Sequence, residues 1–301
     1  MLTLFAVPKA FRGHTGLIQR NAIGSWGRLG GDSRVVLFGD EDGTAAVARE
    51  FNLDHVPEIA RNEFGTPLVN SLFEAVAELV PDGELCYVNS DVILLDDFLP
   101  AIDRVRLRTN DFLVVGECWN LDLRTPVPFD DPSWQAEIRH DVSESATRRG
   151  RWFIDYFAFS HDLYQQLPPF AVGRAGFDNW LVWKACDLGA TVVDATRVVT
   201  AVHQRHDYAH VRGGREWSYE GPEAVRNREL AGGSEHLYTI DHAGHLLTSR
   251  RIHRRPIWLH RPRWIRSSLA VTRPVRHRLG LRASTLQRLR KRVEPLGGRR
   301  R

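Results

Sequence analysis

The chain has 301 residues, 43% hydrophobic and 26% charged, enough for one large α/β domain or two small ones with a core that needs no disulfides. Its net charge of +4 hides an asymmetry: residues 250–301 carry 18 Lys/Arg against one acid, Glu294, a net +17 that leaves −13 on the rest. No run approaches the ~18 consecutive apolar residues of a membrane span, and Cys86, Cys118 and Cys186 are far apart with no C-x-x-C pair, which excludes a disulfide scaffold and suits a reducing compartment. Leu2–Val7 is apolar but is cut off by Pro8-Lys9 with no basic stretch before it, so no secretory signal is expected and the cytoplasm is the expected location.

In chain order, Leu2–Val7 reads as a buried strand, and Thr15 as the cap of a helix from Gly16 to about Leu29. Val35–Phe38 is a second strand, Gly43–Phe51 a short Ala-rich helix, and His55–Ile59 a third strand. Thr66-Pro67 has the form of an N-cap with a first-turn proline, opening a helix to Val80 with Leu68, Val69, Leu72, Phe73, Val76 and Leu79 on one stripe. Leu85–Val88 is a fourth strand, Asp96 or Asp97 caps a helix to about Val105, and Phe112–Cys118 is a further strand. Residues 120–150 have no clear period and read as a long loop or mobile insertion. An aromatic strand Trp152–Phe159, a helix Asp178–Leu188 stopped by Gly189, and strands Thr191–Val193 and Arg197–Val202 follow. Alternating strands and helices over residues 1–118 predict an α/β fold with a mostly parallel, doubly wound sheet.

In such sheets the ligand sits at the carboxyl ends of the strands. Asn89-Ser90-Asp91 falls there, after the fourth strand. A carboxylate in that place either shapes a turn or holds a hard cation against a diphosphate. His203, His206, Asp207 and His210 form a second polar cluster, as metal ligands or as plain surface histidines. Asp178 opens a helix, so it is either an N-cap or a general base for an acceptor hydroxyl. Asp155 lies among aromatics and must be paired or functional. Residues Asn62 to Pro67 either build a capped turn or present free N–H groups to a phosphate.

Several of these segments together resemble the GT-A-type glycosyltransferases, more closely a group of uncharacterised bacterial and plant proteins of the nucleotide-diphospho-sugar transferase superfamily. They are Phe5 to Lys9 with Ile18 to Ala22, Leu37 to Asp40, Asn62 to Pro67, Tyr87 to Asp91, Asp155 to Phe157, Gly173-Arg174 with Asp178 to Trp180, and His203 to Tyr208, within roughly residues 4–210. The resemblance implies a GT-A-like domain over 1–248, followed by a basic Arg/Trp/Pro-rich extension over 249–301. It implies transfer of a hexose or pentose from a nucleotide-sugar donor to an acceptor hydroxyl on a glycan, a lipid-linked molecule or a small molecule. Pro8, Lys9 and Asp40 would line the nucleotide pocket, with Asn62, Gly65, Thr66 and Asn89 beside it. Asn89-Ser90-Asp91 stands where the family carries D-x-D. The first acid is replaced by Asn89, and Asp91 keeps the place of the usual direct ligand of Mn²⁺ or Mg²⁺. His203 would be the distal ligand, with His206 the second choice, and Asp178 the base of an inverting reaction.

Two rival readings follow from other features. A sugar-phosphate nucleotidyltransferase also uses an α/β sheet and acid-bound metal, but carries a Gly-rich basic loop of which Pro8 to Gly13 is a poor version. The basic tail suits an anionic surface: Ile257-Trp258-Leu259 and Trp264-Ile265 interleave with arginines, the mix expected at the inner face of a membrane. The charge of the tail would also suit a nucleic-acid-binding protein, but the acidic body has no recognised nucleic-acid module, so nucleic acid is the less expected partner.

Overall fold

The computed structural model describes residues 1–206 and 214–255, except the side chain at position 215. Asp207, Tyr208, His210 and the tail from position 256, with its membrane-contact segments, lie outside the described residues. The compact unit runs Met1–Arg255.

Thirteen strands and eight α-helices make up the described residues. In chain order they are β1 (Leu2–Ala6), α1 (Gly13–Trp26), β2 (Ser33–Phe38), α2 (Thr44–Glu50), β3 (Asp54–Val56), α3 (Val69–Leu79), β4 (Glu84–Val88) and β5 (Val92–Leu94). Next come α4 (Phe98–Arg106), β6 (Phe112–Val115), β7 (Trp119–Leu121), α5 (Trp134–Ser145), β8 (Thr147–Arg148), β9 (Tyr156–Ser160) and α6 (Phe177–Asp187). The last are β10 (Thr191–Asp194), β11 (Ala201–Gln204), α7 (Gly214–Glu220), α8 (Pro222–Leu230), β12 (His245–Leu247) and β13 (Ile252–Arg254).

Nine strands form the main sheet, in the order β13-β12-β10-β6-β9-β4-β1-β2-β3. Only β9 and β13 run against the others. The fold is therefore mixed α/β with a mostly parallel central sheet, as its alternating elements predict. β1 is buried at every position, as a central parallel strand covered on both faces must be. Leu4 and Ala6 pack toward Ile23 and Trp26 of α1 and Phe98 of α4. Phe5 packs on the other side with Leu72 and Phe73 of α3 and Trp180 and Leu181 of α6. A second sheet, β5-β11-β7-β8, lies beyond the carboxyl end of β4.

Several boundaries differ from expectation. Helix α1 begins at Gly13 with Arg12 as its cap, so Thr15 lies inside it; it stops at Trp26, where Arg28 and Leu29 turn back on the carbonyls of Ser25 and Trp26. Helix α3 begins at Val69, not after Thr66, because Pro67 bridges Arg61 and Leu68 bridges Ala171. The strand expected at Trp152 starts only at Tyr156, and that expected at Arg197 starts at Ala201. Residues 120–150 are not one loop: they hold the end of β7, all of α5 and β8, with Trp134, Ile138 and Val142 of α5 buried. β13 lies past position 248 and pairs with β12 at the edge of the main sheet. No helix among the described residues is long and apolar enough to cross a membrane.

Candidate active site

From β1 the chain adds β2 and β3 on one side, then returns to place β4 on the other. Such a reversal opens a crevice at the carboxyl ends of the two central strands. Lys9 follows β1 there and Asn89-Ser90-Asp91 follows β4. Gln19 of α1 ties the two segments together: Lys9 N and Ser90 Oγ both donate to its Oε1, at 2.7 and 2.9 Å, and its Nε2 donates to the Lys9 carbonyl.

The register of the small sheet brings the histidines to the same point. His203 of β11 pairs antiparallel with Val92, next to Asp91, and parallel with Asn120 of β7. Gln204 N and Nε2 both donate to the Asp91 carbonyl. As a result Asp91, His203 and His206 converge, with one ligand atom from each inside a 4.8 Å span. His206 Nε2 lies 3.0 Å from Asp91 Oδ2, and His203 Nε2 lies 3.8 Å from the same oxygen. Asp91 Oδ1 is buried and has no hydrogen-bond partner among the described residues, a gap that in a folded interior calls for a ligand. A carboxylate oxygen and two imidazole nitrogens at this spacing fit a divalent transition-metal cation.

Electrostatics support that use. Burial works against charge on Asp91, but His203, the bond from His206 and Lys9 outweigh it and hold its carboxyl well below the usual range. Burial pushes His203 down to about 4, so its imidazole is neutral near neutral pH, as a ligand must be. Its Nδ1 lies 2.9 Å from Asn120 Oδ1 and 3.0 Å from Arg149 Nη1. Only the tautomer that donates Nδ1–H to Asn120 leaves the Nε2 lone pair facing Asp91.

A cleft of about 460 Å³ opens from this cluster, lined also by Lys9, Asn89, Arg149, Asp155, Arg174 and Asp178. Burial lowers Lys9, Asp91 opposing it. Asp155, 3% exposed, is paired: Arg149 Nε lies 2.9 Å from its Oδ2, and Asn89 Nδ2 donates to its Oδ1 at 2.9 Å. Asp178 is not the cap of α6. That place belongs to Gly176, at φ 113°, and Asp178 sits inside the first turn. Its Oδ1 is buried without a hydrogen-bond partner among the described residues, and burial raises its carboxyl to about 6 although nearby backbone N–H groups oppose this.

The structure thus brings Lys9, Asn89, Asp91, Asp178 and His203 to one cleft. Pro8 is buried between the lining residues Val7 and Lys9. Asp40, at the carboxyl end of β2, is exposed and pairs with Arg61 Nη2 at 2.7 Å. Asn62 closes a turn, accepting from the N–H groups of Phe64 and Thr66, and its Nδ2 donates to Glu223 at 2.7 Å. Thr66 Oγ1 and Glu223 both accept from Arg174, so Asn62 and Thr66 lie one residue behind the cleft wall. Arg61 Nη1 donates to the carbonyl of the exposed Gly65. Two residues at the site carried no signal in the sequence, Asn120 and Arg149, because both lie in the stretch that lacked a period.

No family model matches the chain, and no curated protein matches it. Similar solved structures include glucosyl-3-phosphoglycerate synthase from Mycobacterium tuberculosis, with Mn²⁺, UDP-glucose and phosphoglyceric acid bound. It is 15% identical, over 85% of this chain and 86% of that one, at a TM-score of 0.47. Another is residues 1–349 of TarS from S. aureus, 10% identical over 61% of this chain, at a TM-score of 0.41. This chain spans about half, 54%, of that TarS structure.

Proposed function

We propose that the chain is a metal-dependent GT-A-type glycosyltransferase that moves a sugar from a nucleotide-diphosphate-sugar donor to an acceptor hydroxyl. One observation carries the reading: Asp91, His203 and His206 converge at the sheet's switch point, in a cleft that also holds Asp178. The motifs that resemble the family support it.

Asp91, His203 and His206 would hold the cation, and two imidazoles beside one carboxylate favour Mn²⁺ over Mg²⁺, which prefers an all-oxygen shell. Bound there, the cation would offset the charge gathering on the departing diphosphate. The Lys9 ammonium has no ion pair among the described residues and would meet the same diphosphate. Pro8, Asn89 and Asp40 would flank the nucleotide, with Asn62, Gly65 and Thr66 supporting that side. Asp178 would take the proton of the acceptor hydroxyl as its oxygen bonds to the anomeric carbon and the bond to the diphosphate breaks, an inverting displacement. A carboxyl at about 6 is ionised near neutral pH yet more basic than an ordinary aspartate. The free thiols of Cys86, Cys118 and Cys186 suit a cytoplasmic enzyme.

The test is a melting-temperature panel of UDP, GDP, CDP and dTDP with and without Mn²⁺, followed by hydrolysis of the matching nucleotide sugar. One nucleotide is expected to raise the melting temperature only with the metal, and Asp91→Ala to abolish that rise. Metal-dependent binding that survives in the variant overturns the assignment of Asp91. Failure of all four nucleotides to bind overturns the transferase reading.

A further inference from the structure

Arg149, Arg174 and Arg228 all line the cleft. Arg149 is paired with Asp155 and Arg174 with Glu223, at 2.9 and 2.8 Å. Arg228 differs. Its Nη1 donates to the backbone carbonyl of Tyr219 at 2.6 Å, and no carboxylate among the described residues pairs with it. Among the described residues its other guanidinium N–H groups have no hydrogen-bond partner, and the residue lines the cleft.

Arg228 also stands at a particular end of the cleft. Its side chain packs against Gly176, where an added Cβ would lie 3.8 Å from Arg228 Cγ. Gly176 caps α6, and Asp178 is the second residue of that helix. The arginine is therefore on the side of the base, whereas Lys9 is on the side of the cation cluster.

The charges of donor and metal are already matched without it. In the proposed complex a divalent cation and the Lys9 ammonium would together meet the charge of the diphosphate and of Asp91. Arg228 is not spent on Asp178 either: no ion pair joins the two among the described residues, and burial is the main influence on that carboxyl. A planar fork of donors with no carboxylate partner among the described residues suits a phosphate or carboxylate.

We propose that the acceptor carries a phosphate or carboxylate group and that Arg228 binds it, setting the acceptor hydroxyl beside Asp178. This rests on the transferase reading for the chemistry, but the anion site itself can be tested without turnover.

The probes are glucose 6-phosphate and glycolate, with methyl glucoside as the neutral control, titrated calorimetrically into the full chain and into Arg228→Gln and Arg228→Lys. The wild type should bind both anions at least tenfold more tightly than the neutral glucoside. Arg228→Gln should lose that preference, and Arg228→Lys should restore part of it. Melting curves establish that each variant is folded. Dihexanoyl phosphatidate is the lipid arm: tighter binding than glucose 6-phosphate, lost in Arg228→Gln, assigns the anion to a lipid headgroup, and the reverse order assigns it to a free phosphate. Equal binding of charged and neutral probes by the wild type, or an anion preference that persists in Arg228→Gln, overturns the proposal. Wild-type hydrolysis of the nucleotide sugar is measured alongside. If it proceeds while the anion preference is absent, the transferase reading stands and only the role of Arg228 falls.

Discussion

His206 Nε2 lies 3.0 Å from one oxygen of Asp91, while the other oxygen of the same carboxylate is buried without a hydrogen-bond partner among the described residues. A buried acceptor left unmade costs about 1–3 kcal/mol. A cation reached by Asp91 and the two imidazoles removes that cost. Mn²⁺ is therefore expected to bind the nucleotide-free protein and to raise its melting temperature. Asp91→Ala should weaken Mn²⁺ by roughly a hundredfold or more, since a lost direct ligand exceeds the ~10–100-fold of an outer partner. Titration followed by electron paramagnetic resonance of free Mn²⁺ reads this directly. Equal affinity in the two proteins would remove the site.

Asn120 is the outer partner of His203. Its Oδ1, 2.9 Å from Nδ1, accepts the N–H that fixes the ligating tautomer. Replacing it by Leu keeps the size of the side chain and removes the acceptor, leaving Arg149 to donate to Nδ1 and turning the N–H toward the metal. Mn²⁺ affinity should fall about 10-fold with little change in the metal-free melting temperature. Asn120→Asp keeps the acceptor and should retain most of the affinity.

Asp178 makes a prediction about pH. Its folded-state carboxyl stands at about 6 against an ordinary 3.8, so between those values the folded chain holds a proton that the unfolded chain has lost. Stability from this group is full below about pH 4 and is lost as pH rises through 6. Asp178→Asn should be more stable than the wild type near neutral pH by about 1–2 kcal/mol, after a discount for partial exposure, and equal to it near pH 4. Urea unfolding at several pH values reads the difference. Transfer by the wild type should rise through about pH 6 and level off above it, and Asp178→Asn should have no such rising limb.

The sequence exposed the parts of the fold that depend on local pattern. β1, β2 and β4 are apolar on both faces and short, so they stand out, and the polar Asn89-Ser90-Asp91 behind β4 stands out with them. The same local logic misled at Thr66-Pro67. There the signals of a helix start serve a turn closed by Asn62, and nothing nearby announces that Pro67 will bridge to Arg61. In α5 the stripe Trp134, Ile138, Val142 has helical spacing but is only one residue wide among charges, too narrow to mark an amphipathic face. The site itself is mostly non-local. Asn120 meets His203 across 83 residues, and Asn89 meets Asp155 across 66. Those meetings depend on strand register, which one-dimensional spacing does not contain.

Packing beneath the site can be tested at Gly116, just past β6. A Cβ there would lie 2.1 Å from the Tyr156 hydroxyl and 3.2 Å from the Thr196 backbone nitrogen. Neither obstacle can swing away: Tyr156 is 1% exposed, its ring edge-on to Phe98 at 5.5 Å, and Thr196 N donates to Asp194. Gly116→Ala should therefore destabilise by about 3 kcal/mol, the upper part of the range for overpacking a filled core. Tyr156 opens β9, one residue after Asp155, so a forced shift of its ring displaces the pair of Asp155 with Arg149 and, through Arg149, His203. The variant should accordingly lose Mn²⁺ affinity as well as stability. The double variant Gly116→Ala, Tyr156→Phe removes the hydroxyl that clashes and should recover much of both, which urea unfolding and Mn²⁺ titration would measure together. If the double variant is no better than the single one, the contact with the phenol is not what fixes glycine at this position.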